Sequence, residues 1–80
     1  MMNENFLKEL ADLLELEVTE LKEDYELAEN ENWDSLALVS VVVMIDEHFQ
    51  ISLKNDVIKN CMYIRDLYSI IENKLNETKV

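Results

Sequence analysis

Apolar residues open the chain at helical spacing. Phe6, Leu7, Leu10, Leu13 and Leu14 fall on one stripe, while Lys8, Glu9, Asp12 and Glu15 fall mainly off it. Asn3 stands ahead of them as a cap, with Glu4 in the first turn, where the helix dipole favours negative charge. The pattern predicts a first helix from about Glu4 to Leu16 with its stripe turned to a core. From Glu17 to Asp34 the periodicity stops. Val18, Leu21, Tyr25 and Leu27 are isolated apolar anchors in a polar stretch. They predict a long loop laid across the domain, with a short helical turn at about Thr19 to Glu23 capped by Thr19.

Leu36 to Ile45 is apolar everywhere except Ser40, so periodicity does not decide its conformation, and Val41-Val42-Val43 favours strand locally. The length of the run and the Asp34-Ser35 start signal argue for a helix from Ser35 to about Phe49. A helix this apolar must bury most of its surface. In a bundle, Val39, Val42, Ile45, Asp46 and Phe49 line up along one face, with Asp46 at its edge.

Gln50 to Leu53 alternates and reads as a short extended link. Asn55 is placed to cap a brief third helix from Asp56 to about Asn60, with Val57 and Ile58 inward. Ile64, Leu67, Tyr68, Ile71 and Leu75 form a last stripe, predicting a helix from about Ile64 to Leu75 and a polar tail from Asn76 to Val80. The fold class is all-α: a small three- to four-helix bundle with a long loop between helices one and two, occupying residues 1–80 as a single domain.

Composition agrees with that class. Eighty residues, 49% apolar and 31% charged, describe a globular chain. Zero Gly and zero Pro allow uninterrupted helices. They also exclude glycine-dependent phosphate loops and dinucleotide fingerprints. The net charge of −11 is uneven: Met1 to Ser35 holds twelve acidic and two basic residues, and Leu36 to Val80 six acidic and five basic. Such a field repels nucleic acid and anionic lipid and steers basic protein partners. The acidic loop does not meet the calcium-loop pattern. Counted from Asp24, its sixth residue is Glu29 rather than Gly and its twelfth is Ser35 rather than Glu.

Cys61 is the only cysteine, which excludes an intrachain disulfide and a cysteine-held zinc. It is expected to pack as a small hydrophobe. His48, the only histidine, is expected to be exposed. One His and one Cys make no catalytic set, so the chain is expected not to be an enzyme. Met1-Met2-Asn3-Glu4-Asn5 lacks the basic and apolar regions of a secretory signal, and no apolar run approaches the ~20 residues of a membrane span. A soluble, cytoplasmic monomer with no nucleic-acid or membrane partner is the expectation.

The remaining chemistry concentrates at Trp33-Asp34-Ser35-Leu36, where a hydroxyl stands at the start of a helix. That position offers unpaired backbone N–H groups and partial positive charge, and suits a phosphate ester. Ser and Asp are also strong caps, so on the dipeptide alone Ser35 reads as a cap.

The flanks add a resemblance. Asp34-Ser35-Leu36, then Val39 and Val42, then Asp46-Glu47-His48-Phe49-Gln50-Ile51-Ser52-Leu53, resemble the acyl carrier protein family over about Phe6 to Leu75. That family's pattern is Asp-Ser-Leu, a helix, an acidic pair and a Phe-x-Ile-x-hydrophobic exit. The resemblance implies that Ser35 carries 4′-phosphopantetheine, installed from coenzyme A with Asp34 helping to orient it. The arm would hold acyl groups as thioesters. It also implies partners: a phosphopantetheinyl transferase, and acyl-loading or acyl-transferring enzymes with basic or apolar patches. These would dock at Leu36, Val43 and Met44, with Val41 and Met44 alternatively packed beneath the preceding loop.

Where well-known members carry acidic residues after the serine, this chain has Ala37, Leu38, Ser40 and Val41. Docking would then rest more on apolar contact, with charge supplied by the upstream loop. Lys54 replaces a frequent Pro, His48 a common acid, and Tyr63 the Thr that usually caps the last helix, whose start is expected to fray. The Trp-Asp-Ser-Leu version and the loss of helix-two acid fit a specialised pathway such as a secondary metabolite, a modified glycan or an amino-acyl carrier. They fit housekeeping fatty-acid synthesis less well. The alternative is an unmodified acidic helical interaction domain in which Ser35 is only a cap.

Overall fold

A computed structural model describes residues 3–77. Within them lie four α-helices: α1 (Glu4–Leu14), α2 (Ser35–Phe49), α3 (Asn55–Lys59) and α4 (Ile64–Glu77). Two 3₁₀ turns, Val18–Glu20 and Leu27–Glu29, interrupt the first loop. No helix among the described residues is long and apolar enough to cross a membrane.

The α1 start follows the expected cap. Asn3 Oδ1 accepts the N–H groups of Asn5 at 2.8 Å and Phe6 at 3.3 Å. Phe6, Leu10 and Leu14 of the predicted stripe are buried, Leu7 and Leu13 are half-buried at its sides, and Ala11, outside the predicted stripe, is buried as well. The helix stops two residues before the predicted Leu16, because Glu15 turns left-handed at φ 58°. Leu16 N–H then bonds Ala11 O at 2.8 Å and Glu15 N–H bonds Asp12 O at 3.2 Å, the paired closure of a Schellman end. Without glycine in the chain, Glu15 and Gln50 supply the left-handed residues after α1 and α2.

The loop predicted from Glu17 to Asp34 is tied down rather than free. Leu27 N–H bonds Met62 O at 2.8 Å, and Ile64 N–H bonds Tyr25 O at 3.0 Å, which makes an isolated antiparallel bridge between Glu26 and Tyr63. Leu21 and Leu27 are buried anchors, whereas Val18 is exposed. The first short turn spans Val18–Glu20, with Glu17 in the cap position. Thr19 lies inside it and caps nothing, which corrects the Thr19–Glu23 expectation. Glu20 Oε2 closes this turn by accepting Glu17 N–H at 2.8 Å.

α2 has the predicted bounds, but its buried face differs from the expected one. Ala37, Val41, Met44 and Ile45 point into the core, and Val39 stands half out. The helix is rotated by about a third of a turn from the Val39-Val42-Phe49 orientation. A run that is apolar all round carries no phase of its own, so packing against α1 and α3 sets it.

α3 begins at Asn55 itself, with Lys54 in the cap position and no side-chain cap, so the expected Asn55 cap is absent. Ile58 is buried there and Val57 is not. At α4, Tyr63 does stand where a capping Thr is usual. The fraying expected of it is opposed by Asp66, whose Oδ2 accepts the N–H groups of Met62 at 3.1 Å and Tyr63 at 3.0 Å. Ile64, Leu67 and Ile71 complete the core, with Tyr68 and Leu75 packed at its edge. The tail expected from Asn76 is helical through Glu77. Its remainder, like Met1 and Met2, lies outside the described residues.

Candidate functional site

Two asparagines position the segment that leads into α2. Asn30 Nδ2 donates to Leu14 O at 3.2 Å and to the Tyr25 hydroxyl at 2.8 Å. Asn32 Nδ2 donates to the same Leu14 carbonyl at 3.3 Å. Leu14 ends α1, so its carbonyl belongs to the last turn that helix bonding leaves unsatisfied. The two side chains close that end from across the fold, and in doing so pin the loop sixteen and eighteen residues further on. Asn30 Oδ1 also accepts Asn32 N–H at 2.8 Å, and Asn30 O accepts Trp33 N–H at 3.1 Å. Trp33 packs half-buried against the core. Neither asparagine is among the residues that the sequence pattern singles out. Their signal was an Asn-x-Asn pair in a loop just ahead of a helix.

Asp34 is the cap of α2. Its backbone is extended, its Oδ1 accepts Ala37 N–H at 3.0 Å, and its carbonyl accepts Leu38 N–H at 3.0 Å. Ser35 is therefore the first helical residue rather than the cap. Its side chain is exposed, and its hydroxyl has no hydrogen bond among the described residues. Ser35 and Leu36 are the helix residues whose N–H groups remain unpaired at this end. An exposed, uncommitted hydroxyl thus stands at the positive end of a 15-residue helix. Those features fit a phosphodiester at Ser35.

Of the apolar residues expected at the surface, Leu36 is 78% exposed and Val43 49%. Met44 is 9% exposed and belongs to the core, so it is withdrawn from the docking set. Val41 is buried beside it.

The other candidate groups do no chemistry here. Cys61 is buried, with Sγ 3.7 Å from Val57 O. Burial, and secondly the Asp66 carboxylate, push its thiol up to about 11, so it stays protonated and unreactive. His48 is not exposed as expected; its side chain retains 16% of its accessible surface. The ring sits edge-on to Phe6, with centroids 5.9 Å apart at 72°. Its Nε2 lies 3.3 Å from Glu9 Oε1 yet lacks the alignment of a hydrogen bond. Among the described residues no three His, Cys, Asp or Glu side chains converge on a metal position.

A family model described as a phosphopantetheine attachment site matches residues 4–71. The chain belongs to this family. Phosphopantetheine carriers hold a covalently attached 4′-phosphopantetheine, interact with biosynthetic enzymes and transferases, and are not themselves catalysts. This carrier is also similar to polyketide-8 synthase acyl carrier protein 2 of Streptomyces avermitilis. The two are 27% identical over 74 residues, which is 91% of this chain and 85% of that protein.

Proposed function

We propose that residues 1–80 act as one acyl carrier domain in the cytoplasm, with Ser35 as the attachment residue. The observation that carries this reading is the division of labour at the α2 start: Asp34 caps, and the Ser35 hydroxyl is left exposed and unbonded. When bound, phosphopantetheine supplies a thiol that holds acyl groups as thioesters. In the attachment reaction Ser35 Oγ is the nucleophile. It forms the new O–P bond and gives its proton to a base on the transferase, while the anhydride bond of coenzyme A breaks and adenosine 3′,5′-bisphosphate leaves. Asp34 keeps Ser35 at the first helical position throughout, so that product charge meets the unpaired N–H groups of Ser35 and Leu36.

The cargo reading is a specialised pathway, of the polyketide or related type. It is supported by the similarity to a polyketide synthase carrier and by the absence of acid in the first turn of α2. The domain works as a monomer. Labelling with a fluorescent coenzyme A analogue and a broad-specificity phosphopantetheinyl transferase tests the attachment. The wild type should label and Ser35→Ala should not; equal labelling of both would remove Ser35 from the reading.

The competing reading, an unmodified interaction domain, gave Ser35 the work of a cap. Asp34 does that work.

A further inference from the structure

Ala37 is the first buried residue of α2, while Asp34, Ser35 and Leu36 are all exposed. The turn that carries the Ser35 hydroxyl therefore gains little from the core, and a helix end of this kind frays unless its cap is held. Here the cap is held from the loop. Asp34 N–H bonds Asn32 O at 3.0 Å, Trp33 N–H bonds Asn30 O at 3.1 Å, and Asn32 N–H bonds Asn30 Oδ1 at 2.8 Å. Both asparagine amides donate in turn to Leu14 O, at 3.2 and 3.3 Å. A continuous series of bonds thus runs from the last residue of α1 to the residue before Ser35.

These contacts demand amides. A carboxylate in either place could only accept, and Leu14 O lies at the negative end of α1, which repels it. The neighbouring acids Glu29, Glu31 and Asp34 are exposed, whereas both asparagines are half-buried. The network also reaches the far side of the fold. The Tyr25 hydroxyl accepts from Asn30 Nδ2 at 2.8 Å, and Tyr25 O accepts the Ile64 N–H at the start of α4 at 3.0 Å. The segment from Asn30 to Asp34 is therefore located against both α1 and α4.

Resting on the carrier reading, we infer that Asn30 and Asn32 are positioning residues for the attachment reaction, acting on Ser35 through Asp34. With the amides in place, the first turn of α2 stays wound and its hydroxyl is presented before the transferase arrives. Without them the turn must be ordered during binding, and apparent affinity falls with the fraction of molecules already ordered. Once bound, the transferase imposes the same geometry on either protein. The loss therefore falls on the KM for the carrier and spares kcat.

The test is the rate of attachment by a broad-specificity phosphopantetheinyl transferase at saturating coenzyme A, over a range of apo protein concentrations. Asn30→Asp keeps the side-chain size and removes the donors. It should raise the KM for the apo protein about fivefold and leave kcat within about twofold. Asn30→Ala, which adds no charge, should act in the same direction, and Asn32→Asp less, since Asn30 still holds Leu14 O. Trp33, the one tryptophan, packs half-buried inside this segment and reports on it directly. Without transferase present, its quenching by acrylamide should rise in each asparagine variant. Ile71→Val opens a gap in the buried side of α4; it is the control for a fold weakened elsewhere and should change neither reading. Melting curves fix a temperature at which every variant is folded. A wild-type KM in both Asn30 variants, or an equal rise in Ile71→Val, would overturn the positioning role alone. Failure of folded wild type to be modified at Ser35 would overturn the carrier reading and this inference together.

Discussion

The carboxylate of Asp34 accepts the backbone N–H of Ala37 at 3.0 Å, and this one bond frees Ser35 from the fold. Had the serine been the cap, its oxygen would be committed to a backbone donor and modification would compete with helix stability. Placed one residue later, the hydroxyl is open to solvent while the helix keeps its cap.

The two residues should therefore separate in a denaturation experiment. Asp34→Ala should lose about 1 kcal/mol through the lost cap. Ser35→Ala should stay within about 0.5 kcal/mol of wild type, since it removes an exposed group without partners. Urea midpoints of both variants measure this. A larger loss for Ser35→Ala than for Asp34→Ala would return the capping role to the serine.

The Asn30 and Asn32 amides hold the loop to the end of α1 through a single carbonyl, Leu14 O. Asn30→Ala removes donors to Leu14 O and the Tyr25 hydroxyl, and should cost about 1–2 kcal/mol. Asn32→Ala leaves Asn30 on the same carbonyl and should cost less. In the Asn30 variant, amide exchange should accelerate around Trp33 more than in α4. Uniform acceleration along the chain would mean that the asparagine stabilises the whole fold and not the loop.

Glu15 adopts φ 58° with its side chain exposed. A left-handed non-glycine residue costs about 1–2 kcal/mol, partly offset by the greater backbone entropy glycine would bring. Glu15→Gly should raise stability by about 0.5 kcal/mol. Thermal melting decides it, and a lowered midpoint would mean that the Glu15 side chain contributes more than its conformation costs.

Cys61 gives a signed pH effect. Its thiol is raised from the ordinary 9.0 to about 11 by burial and by Asp66. The folded state therefore holds the proton over a range where the unfolded state releases it. Stability from this group is complete below pH 9 and falls as pH rises from 9 towards 11. Tyr68 is raised by burial and secondarily by Glu23, and contributes in the same direction. The difference between wild type and Cys61→Ala isolates the thiol: the variant should lose less stability over this range. Parallel slopes would mean that the thiolate is tolerated in the fold.

Much of this fold is readable in the sequence, for unequal reasons. α1 and α4 were legible because their apolar residues recur every three or four positions, so one pattern yields both the helix and its buried side. α2 was legible in extent, through its start signal, but not in rotation. Its residues are nearly all apolar, and the choice of Val41 and Met44 over Val39 for the core depends on neighbouring helices. That is why Met44 was misplaced at the surface. His48 was misjudged because its burial depends on Phe6, forty-two positions earlier, which no local pattern reports. At the site, Ser35 and Asp34 were legible from their motif. Their division of roles was not, since both are good caps and only backbone geometry assigns the bond.

Ser35 is one of four serines in the chain, with Ser40, Ser52 and Ser69. Fragmentation mass spectrometry of the intact protein, after reaction with coenzyme A and a phosphopantetheinyl transferase, tells them apart. A single phosphopantetheine is expected, confined to the fragment holding Ser35 and absent from Ser35→Ala. Addition at another serine, or none on folded protein with several transferases, would contradict it.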